Sequence, residues 1–289
     1  MADSIKFKII KTHFPVLIQD AGRLNYLKNG VPMSGAMDMQ SAAIANQLVG
    51  NTTDSPVLEI TLPGTEIFVA EKCQIAITGG DFSPQINKRS IPMWETVTVE
   101  QASTLVFRKI KSGCRAYLAV NGRLELKPWL GSYSAFGELT PSFILKSGAE
   151  LQVVQNDFIG KKIYPEKYRP AFKNTHKIRV TKGAEFDDFS KSEINFFLKT
   201  GFKIDPNSNR MGYLLKEGFN DFKQKKEMIS SGILPGTIQV SNGGKLTILM
   251  RDAQTTGGYP RIANVLQEDL NKLAQMKAGD EIYFEIVYL

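Results

Sequence analysis

Residues 250–261 read Met250-Arg251-Asp252-Ala253-Gln254-Thr255-Thr256-Gly257-Gly258-Tyr259-Pro260-Arg261 and decide the fold expected for the carboxyl-terminal half. A strand-like run at 246–250 precedes them, and apolar residues at spacings of three and four follow them: Ile262, Val265, Leu266, Leu270 and Leu273. This spacing predicts a helix that begins near Pro260 and ends before Gly279. A glycine-rich turn at a helix start directs backbone N–H groups at one point, which favours binding of a carboxylate, phosphate or oxyanion. The alternative is a structural turn that caps its helix.

Length and composition indicate a soluble globular protein. The chain has 289 residues, of which 42% are apolar and 22% charged, which suits one large domain or two of ordinary size. No apolar run reaches the ~18 residues that span a bilayer, and Met1-Ala2-Asp3-Ser4 lacks the features of a signal peptide. Two cysteines and two histidines predict buried thiols and no metal site. We expect a cytoplasmic protein.

The net charge of +7 is concentrated in two segments. One cluster comprises Lys161, Lys162, Lys167, Arg169, Lys173, Lys177, Arg179 and Lys182, and the other comprises Lys223, Lys225 and Lys226. Nucleic-acid binding would use such a stripe, but no recognition motif accompanies it. We therefore interpret the proline-containing segment 158–176 as a solvated basic linker, with no nucleic-acid and no membrane partner.

Short β-branched runs separated by turn residues predict a mainly β protein. These runs lie at 5–10, 16–19, 57–61, 75–78, 96–99, 105–107, 116–120, 151–154, 178–181, 238–240, 246–250 and 282–287. Besides the helix after Pro260, helices are predicted at 39–49 and from a capping box at Ser190 and Glu193 to a point before Gly201.

A faint internal similarity indicates two related domains. Leu62-Pro63-Gly64-Thr65 and Leu234-Pro235-Gly236-Thr237 each lead through apolar runs to an aspartate, Asp81 or Asp252. We predict an N-terminal domain over 1–165 and a C-terminal domain over 175–289, joined by the linker at 158–176.

Further polar groups adjoin small-residue turns. Asp38 is placed to cap the helix at 39–49, and Arg23 has the chemistry of a bidentate carboxylate clamp. Arg210 is a second candidate anion clamp. Gly79 and Gly80 end an apolar strand, which permits either close approach of a ligand or a bend. The sequence contains no phosphate-binding P-loop, no nucleophile elbow and no biotin-attachment motif.

Eight runs in addition to 252–261 resemble the biotin-dependent carboxyltransferase family, in the family's order, over about residues 5–287. They lie at 19–23, 30–38, 45–51, 58–64, 76–82, 115–120, 208–213 and 230–236. Bacterial members of this family include the C-type subunit of 5-oxoprolinase and the allophanate-hydrolase-subunit-2-like proteins. The resemblance implies two cyclophilin-like β-barrel domains with a few short helices.

The resemblance also implies partners and chemistry. We expect a complex with a protein like the B-type subunit of 5-oxoprolinase, as a heterodimer or heterotetramer, and with a lactam-utilisation-type protein, the A-type subunit. This complex would cleave 5-oxoproline to glutamate with ATP, and the chain alone would be inactive. One alternative is carboxyl transfer to urea or another amide, with biotin on a separate carrier protein. Another is a non-catalytic antagonist that binds a kinase-inhibitor-like partner.

Carried over residue by residue, the resemblance implies a site whose members we expect to line one cleft. The catalytic set is Arg261, Gln254, Tyr259 and Arg210. The substrate-binding set is Asp20, Arg23, Ser34, Gly35, Asp38, Asn209, Thr255, Thr256, Gly257 and Gly258. The sequence departs from the family pattern at 133–141, at 181–183 and at Asn209, where an aspartate is usual.

Overall fold

The computed structural model describes residues 4–220, 222–224 and 228–288. It divides into two compact units, one made of Met1–Arg23 and Ser34–Phe172 and the other of Leu24–Met33 and Lys173–Leu289. Strands dominate the described residues, which include three α-helices, so the prediction of a mainly β protein with few short helices is confirmed. None of the helices in the described part of the chain has the length and apolarity to span a membrane. Lys225, Lys226 and residues 1–3, which figured in the sequence predictions, lie outside the described residues.

The first unit contains thirteen of the described strands and one α-helix. They are β1 Ser4–Lys11, β2 Val16–Gln19, α1 Met39–Val49, β3 Val57–Thr61, β4 Glu66–Val69, β5 Cys73–Asp81, β6 Gln85–Ile86, β7 Arg89–Ser90, β8 Thr96–Val99, β9 Ser103–Val106, β10 Ser112–Val120, β11 Gly122–Leu124, β12 Ile144–Leu145 and β13 Glu150–Gln155. Two sheets result, in the orders β11-β13-β1-β4-β9-β6-β7 and β12-β2-β3-β10-β5-β8.

The core of the first unit follows from strand alternation. In β1, Ile5, Phe7 and Ile9 are buried while Lys6 and Lys8 face solvent, which is the period of two expected for a half-buried strand. In contrast, β5 is buried along almost its whole length because α1 packs on one face of its sheet. Both cysteines are buried thiols, as predicted.

Helix α1 begins and ends where its sequence directs. Asp38 accepts a hydrogen bond from the backbone N–H of Ser41 at 3.0 Å, which satisfies one of the donors left open at a helix start. Gly50 ends the helix with φ of 81°, a conformation that glycine adopts without a Cβ penalty. The predicted bounds of this helix are confirmed.

The second unit is built on one seven-stranded sheet. Its elements are β14 Thr175–Lys182, α2 Lys191–Lys199, β15 Phe202–Lys203, β16 Gly212–Gly218, β17 Ser231–Gly232, β18 Thr237–Val240, β19 Lys245–Leu249, β20 Thr256–Gly257, β21 Arg261–Val265, α3 Gln267–Ala274 and β22 Glu281–Ile286. The sheet order is β15-β22-β14-β21-β18-β19-β16, and a bridge between Ile204 and Leu215 joins its two edges, so the sheet is nearly closed. Strands β17 and β20 form a separate two-stranded ribbon.

Helix α2 covers one side of the second unit, where aromatic rings pack together. Its capping box is complete, since the Ser190 side chain accepts from the Glu193 N–H and the Glu193 carboxylate accepts from the Ser190 N–H. Phe197 stacks on Phe284 at a centroid distance of 4.5 Å, and Phe202 packs against both rings. The predicted helix after Ser190 is therefore confirmed.

The predicted helix after Pro260 is wrong in position. Arg261–Val265 form strand β21, and the helix occupies only Gln267–Ala274. Ile262 and Val265 are inward-facing strand residues, while Leu270 and Leu273 are buried helix residues. One apolar pattern thus spans two elements, because β21 is held between β14 and β18 in the sheet.

The first part of the predicted linker 158–176 is hydrogen-bonded to the first unit. The backbone of Ile159 exchanges two hydrogen bonds of 2.8 Å with the Gln74 carboxamide, and the backbone N–H of Thr96 donates to the Lys162 carbonyl at 2.9 Å. These contacts fix residues 159–164 along strand β8 of the first unit. The last division between the units along the chain falls between Phe172 and Lys173.

The internal similarity is local. Gly64 and Gly236 both have positive φ and both precede a strand, as the matching motifs suggest. Beyond the turn the topologies differ, because β4 and β5 lie in different sheets whereas β18 pairs directly with β19.

Candidate functional site

The predicted site residues fall into two groups, one in each unit. The first unit holds Asp20, Arg23, Ser34, Gly35 and Asp38, and the second holds Asn209, Arg210, Gln254, Thr255, Thr256, Gly257, Gly258, Tyr259 and Arg261. Each group has its own surroundings and its own chemistry.

Asp20 organises a turn in the first unit. Its Oδ1 accepts hydrogen bonds from the hydroxyls of Ser132 and Ser134 and from the Gly22 N–H, and its Oδ2 accepts from the Tyr133 N–H at 2.6 Å. These four hydrogen bonds fix the orientation of the carboxylate. Asp20 therefore holds in place residues 132–134, where the divergent segment 133–141 begins.

Arg23 is buried beside an aromatic ring. It is 1% exposed, its guanidinium lies 4.7 Å from the centre of the Trp129 ring, and it donates to the Ser134 carbonyl. The guanidinium thus stacks on an aromatic face and supports the same turn as Asp20. The role of Arg23 in binding a ligand carboxylate stays a prediction.

The Ser34-Gly35 corner is a strained turn. Ser34 adopts φ of 55° and is 2% exposed, and its Oγ has no hydrogen-bond partner among the described residues. A Cβ at Gly35 would lie 3.2 Å from backbone atoms of Asp20, Ala21 and Gly22, so this position requires glycine. Strain of this kind persists where surrounding contacts impose it. The substrate-binding prediction for this pair remains a prediction.

Asp38 caps helix α1, and its role in substrate binding stays a prediction. It is 1% exposed, and besides the Ser41 N–H it accepts from the Ser41 hydroxyl at 2.6 Å. The structural interpretation that the sequence already favoured for Asp38, as a helix cap, is confirmed.

A buried polar network beneath this corner was missed by sequence reasoning. Glu59 is fully buried and its Oε2 accepts from the Met37 N–H at 2.8 Å and from the Tyr117 hydroxyl at 2.9 Å, while that hydroxyl accepts from the Asp38 N–H at 2.8 Å. Arg115 Nε lies 3.9 Å from Glu59 Oε1. Burial, and then the charge of Glu59, raise the pKa of Tyr117 well above its ordinary value. The available signal was a glutamate in the middle of an otherwise apolar strand.

In the second unit the structure brings Asn209, Gln254 and Tyr259 to one cleft of about 220 Å³. Its lining residues are Asn207, Asn209, Met211, Gly212, Leu214, Gln239, Ser241, Thr247, Leu249, Gln254 and Tyr259. Amide and hydroxyl groups predominate among its polar side chains, and none of the described lining residues carries a charge. The cleft therefore suits a small, uncharged, hydrogen-bonding group.

Gln239 forms part of this cleft and was not predicted. It lies on β18, is 3% exposed, and packs directly against Gly257 of the two-stranded ribbon. A Cβ at Gly257 would lie 2.5 Å from Gln239 Nε2 and 2.9 Å from a methyl group of Ile233. Glycine at 257 thus makes room for the Gln239 carboxamide.

The expected anion site at a helix start is not present at 255–259. Thr256 and Gly257 pair with Gly232 and Ser231 in the ribbon, and the next residues lead into strand β21. The turn therefore contributes no helix dipole, which removes the predicted binding of phosphate or oxyanion by that mechanism.

Arg210, a predicted anion clamp, and Arg261, a member of the predicted catalytic set, each form an ion pair with a carboxylate of the protein. Arg210 binds Asp252 in bidentate fashion, with Nε–Oδ2 and Nη2–Oδ1 distances of 2.7 and 3.0 Å. Arg261 binds Glu185 through its side chain and its backbone N–H. These pairs tie together segments beside the cleft, so either arginine could bind a substrate anion only if its pair opened.

Comparison with known proteins identifies the class. The family model described as carboxyltransferase domain, subdomain A and B, matches residues 29–286, and the chain belongs to this family. The chain is also 33% identical over 285 residues to the C-type subunit of 5-oxoprolinase from Escherichia coli strain K12, a match that covers 96% of this chain and 90% of that protein.

Larger proteins contain a similar region. The chain is 34% identical over 295 residues to urea amidolyase of Saccharomyces cerevisiae, covering 92% of this chain and 16% of that protein. It superimposes on the crystal structure of K. lactis urea amidolyase with a TM-score of 0.88 at 29% identity, covering 98% of this chain and 19% of that one. The chain thus corresponds to a small part of each urea amidolyase.

Proposed function

We propose that the chain is the C-type subunit of a 5-oxoprolinase. It would act with a B-type subunit and a lactam-utilisation-type A-type subunit in ATP-dependent cleavage of 5-oxoproline to glutamate. The observation that carries the proposal is the 33% identity to the Escherichia coli C-type subunit over 90% of that protein's length. The corresponding 5-oxoprolinase protein of Haemophilus influenzae is 31% identical and supports the same assignment.

The second-unit cleft supplies the chemistry that this proposal assigns to the chain. A lactam is a stable amide, and its carbonyl must be activated before water can open the ring. We assign ATP to the complex, where its terminal phosphoryl group would pass to the lactam oxygen with release of ADP. One water would then add to the activated carbon and the ring C–N bond would break, leaving an acyl phosphate and a free amine. A second water would hydrolyse the acyl phosphate to glutamate and phosphate. Gln254, Tyr259 and Asn209 would orient the lactam by hydrogen bonds, while Arg210 and Arg261 hold the walls of the cleft. Because the reaction consumes ATP, we place the complex in the cytoplasm.

A second candidate function is carboxyl transfer to urea or another amide. The 34% identity to a urea amidolyase favours it, although the matched region is 16% of that protein. This reaction would need biotin on a separate carrier protein. An uncharged cleft that binds amides is compatible with both substrates.

Reconstitution distinguishes the candidates. The chain, a B-type partner and an A-type partner are combined with 5-oxoproline and ATP, with and without avidin, and glutamate and ADP are measured. We expect equal glutamate formation in both arms, and none when any one protein or ATP is omitted. Avidin-sensitive consumption of ATP with urea would instead establish carboxyl transfer. Binding of the partners without consumption of either substrate would indicate a non-catalytic antagonist.

A further inference from the structure

We propose that Gln239 is the specificity-determining residue of the second-unit cleft and that it recognises the cis-amide edge of the ligand, the N–H and C=O groups on one side of a lactam or urea. The proposal rests on the proposed function for its substrate, and it adds a residue and a recognition chemistry that the family resemblance did not supply.

The first observation is the position of Gln239 in a cleft without charged walls. A side chain that is 3% exposed and still lines the cleft presents its carboxamide at the base rather than at the rim. Tyr259, by contrast, is 45% exposed. Contacts at a desolvated base contribute most to selectivity, because a mismatched ligand leaves buried polar atoms without partners.

The second observation is that the carboxamide retains capacity for hydrogen bonds. Within the described residues it makes one hydrogen bond, from Nε2 to the Tyr259 carbonyl, and that bond is long at 3.5 Å. A carboxamide has two donor hydrogens and an acceptor oxygen. The remaining capacity is therefore open to a ligand that enters the cleft.

The third observation is that the surrounding chain holds the carboxamide in one place. Gly257 lies so close to Nε2 that no side chain fits between them, and β18, which carries Gln239, is paired on both sides. Gln239 is therefore held on one side by the ribbon and along its backbone by the sheet, which is the arrangement of a preorganised recognition group.

The carboxamide matches one ligand geometry in particular. In a five-membered lactam the ring forces N–H and C=O onto the same side, and a glutamine carboxamide can then accept from the N–H through Oε1 and donate to the C=O through Nε2. Two parallel hydrogen bonds result. A primary amide or urea presents the same edge, whereas the trans amide of a peptide does not.

Binding of simple lactams to the full chain tests the recognition chemistry without catalysis. The chain, alone and in the reconstituted complex, is titrated with 2-pyrrolidinone, N-methyl-2-pyrrolidinone and γ-butyrolactone, and binding is measured by NMR shift changes. We expect saturable binding of 2-pyrrolidinone in the complex and at least tenfold weaker binding of the two analogues that lack the N–H. Equal binding of all three, or no binding of 2-pyrrolidinone to the complex, overturns the proposal.

Substitutions of Gln239 test whether this residue is responsible for the binding of 2-pyrrolidinone. Gln239→Met keeps the length of the side chain but removes both hydrogen bonds, Gln239→Glu removes the donor, and Gln101→Met is the matched control in an exposed turn. We expect both Gln239 variants to lose at least tenfold in affinity for 2-pyrrolidinone and in 1/KM for 5-oxoproline, with the control unchanged. If one of the two Gln239 variants unfolds, the other still decides whether this residue carries the effect.

The two proposals fail in different ways. If 5-oxoproline is cleaved but the folded Gln239 variants have the KM of the wild type, the role of Gln239 is refuted and the proposed function stands. If 2-pyrrolidinone binds through Gln239 but the complex cleaves no 5-oxoproline, the recognition proposal stands and the proposed function is refuted. Competition by urea, measured in the same titration, ranks the two cis-amide substrates.

Discussion

Arg261 and Glu185 form a two-pronged ion pair, with 2.7 Å between Nε and Oε2 and 2.5 Å between Nη2 and Oε1. The Arg261 N–H adds a third hydrogen bond to Oε2 at 3.0 Å. The hydrogen bonds from Arg261 hold the pKa of Glu185 below its ordinary value, and Glu185 correspondingly raises the pKa of Arg261. Both side chains are largely buried, at 21% and 16% exposure, so the pair ties the start of β21 to the loop after β14.

Breaking this pair is expected to destabilise the fold. Arg261→Ala and Glu185→Gln should each cost about 2 kcal/mol of unfolding free energy, because each leaves a partly buried charge or acceptor without its partner. The double variant should cost clearly less than the sum, with a coupling energy of about 1 kcal/mol or more in urea denaturation. Lys182 and Asp187, exposed and 3.5 Å apart, form the control pair and should couple by less than about 0.5 kcal/mol. Additive effects at 185 and 261 would contradict the prediction.

The same two variants separate a positioning role from a catalytic one. If Arg261 acts by holding β21 beside Tyr259, Glu185→Gln should lower turnover of the reconstituted complex about as much as Arg261→Ala does. We expect this result, because Pro260 connects Tyr259 to the start of β21. The Pro260 carbonyl accepts a hydrogen bond from the Val240 N–H, so a shift of β21 would also move Tyr259. Retention of turnover in Glu185→Gln alone would show that the guanidinium contacts the substrate.

Adding one methyl group at Gly257 should disturb the cleft. The new Cβ would lie 2.5 Å from Gln239 Nε2, so Gly257→Ala must displace the Gln239 carboxamide or the ribbon. We expect a rise in KM for 5-oxoproline of about tenfold, with a loss of unfolding free energy of about 1–3 kcal/mol. Enzyme kinetics and urea denaturation measure the two effects.

The ribbon offers a matched control for this change. At Gly232, on the partner strand, a Cβ would meet nothing within 4 Å. Alanine at this position should leave KM near that of the wild type. An equal rise in KM for Gly232→Ala would show that the ribbon is sensitive to any change, rather than to the contact with Gln239.

Removing the Tyr117 hydroxyl should weaken the first unit. Tyr117→Phe leaves the Asp38 N–H without its acceptor and removes one donor from Glu59, in a region sealed from water. We expect a loss of about 1–3 kcal/mol of unfolding free energy. Tyr168→Phe, at a residue that is 59% exposed, is the control and should change stability by less than about 0.5 kcal/mol.

Short-range sequence signals correctly predicted the elements whose local conformational preference matches their surroundings in the fold. The bounds of β2, β3, β8 and α1 follow from alternation, β-branched content and capping residues, all of which act over a few positions. The cleft residues Asn209, Gln254 and Tyr259 were likewise predicted, from the family resemblance and the polar density of their segments.

Long-range contacts account for what was missed. The pattern after Pro260 fits a helix, but pairing of β21 with β14 and β18 imposes an extended backbone on residues 261–265. Arg23 looked available because nothing near it in sequence covers it, whereas Trp129 does so from more than a hundred residues away. Gln239 gave no signal, since its importance depends on its contact with Gly257.

Acid should remove a defined part of the stability of the second unit. Asp269 has a fully buried side chain. Burial alone would raise its pKa, but hydrogen bonds from Arg179 and Lys272 outweigh burial and lower that pKa from 3.8 to about 2. Because the unfolded chain binds this proton at higher pH than the folded protein does, the stabilisation is fully present above about pH 5 and is lost as pH falls through the folded pKa. The difference corresponds to about 2 kcal/mol.

Urea denaturation from pH 6 to pH 2.5 tests this. The unfolding free energy of the wild type exceeds that of Asp269→Asn by an amount that should shrink as pH falls. Asp187→Asn, at a side chain that is 91% exposed, is the control and should show no such trend. A constant difference for Asp269→Asn across this range would show that the carboxylate contributes through shape or packing rather than through its charge.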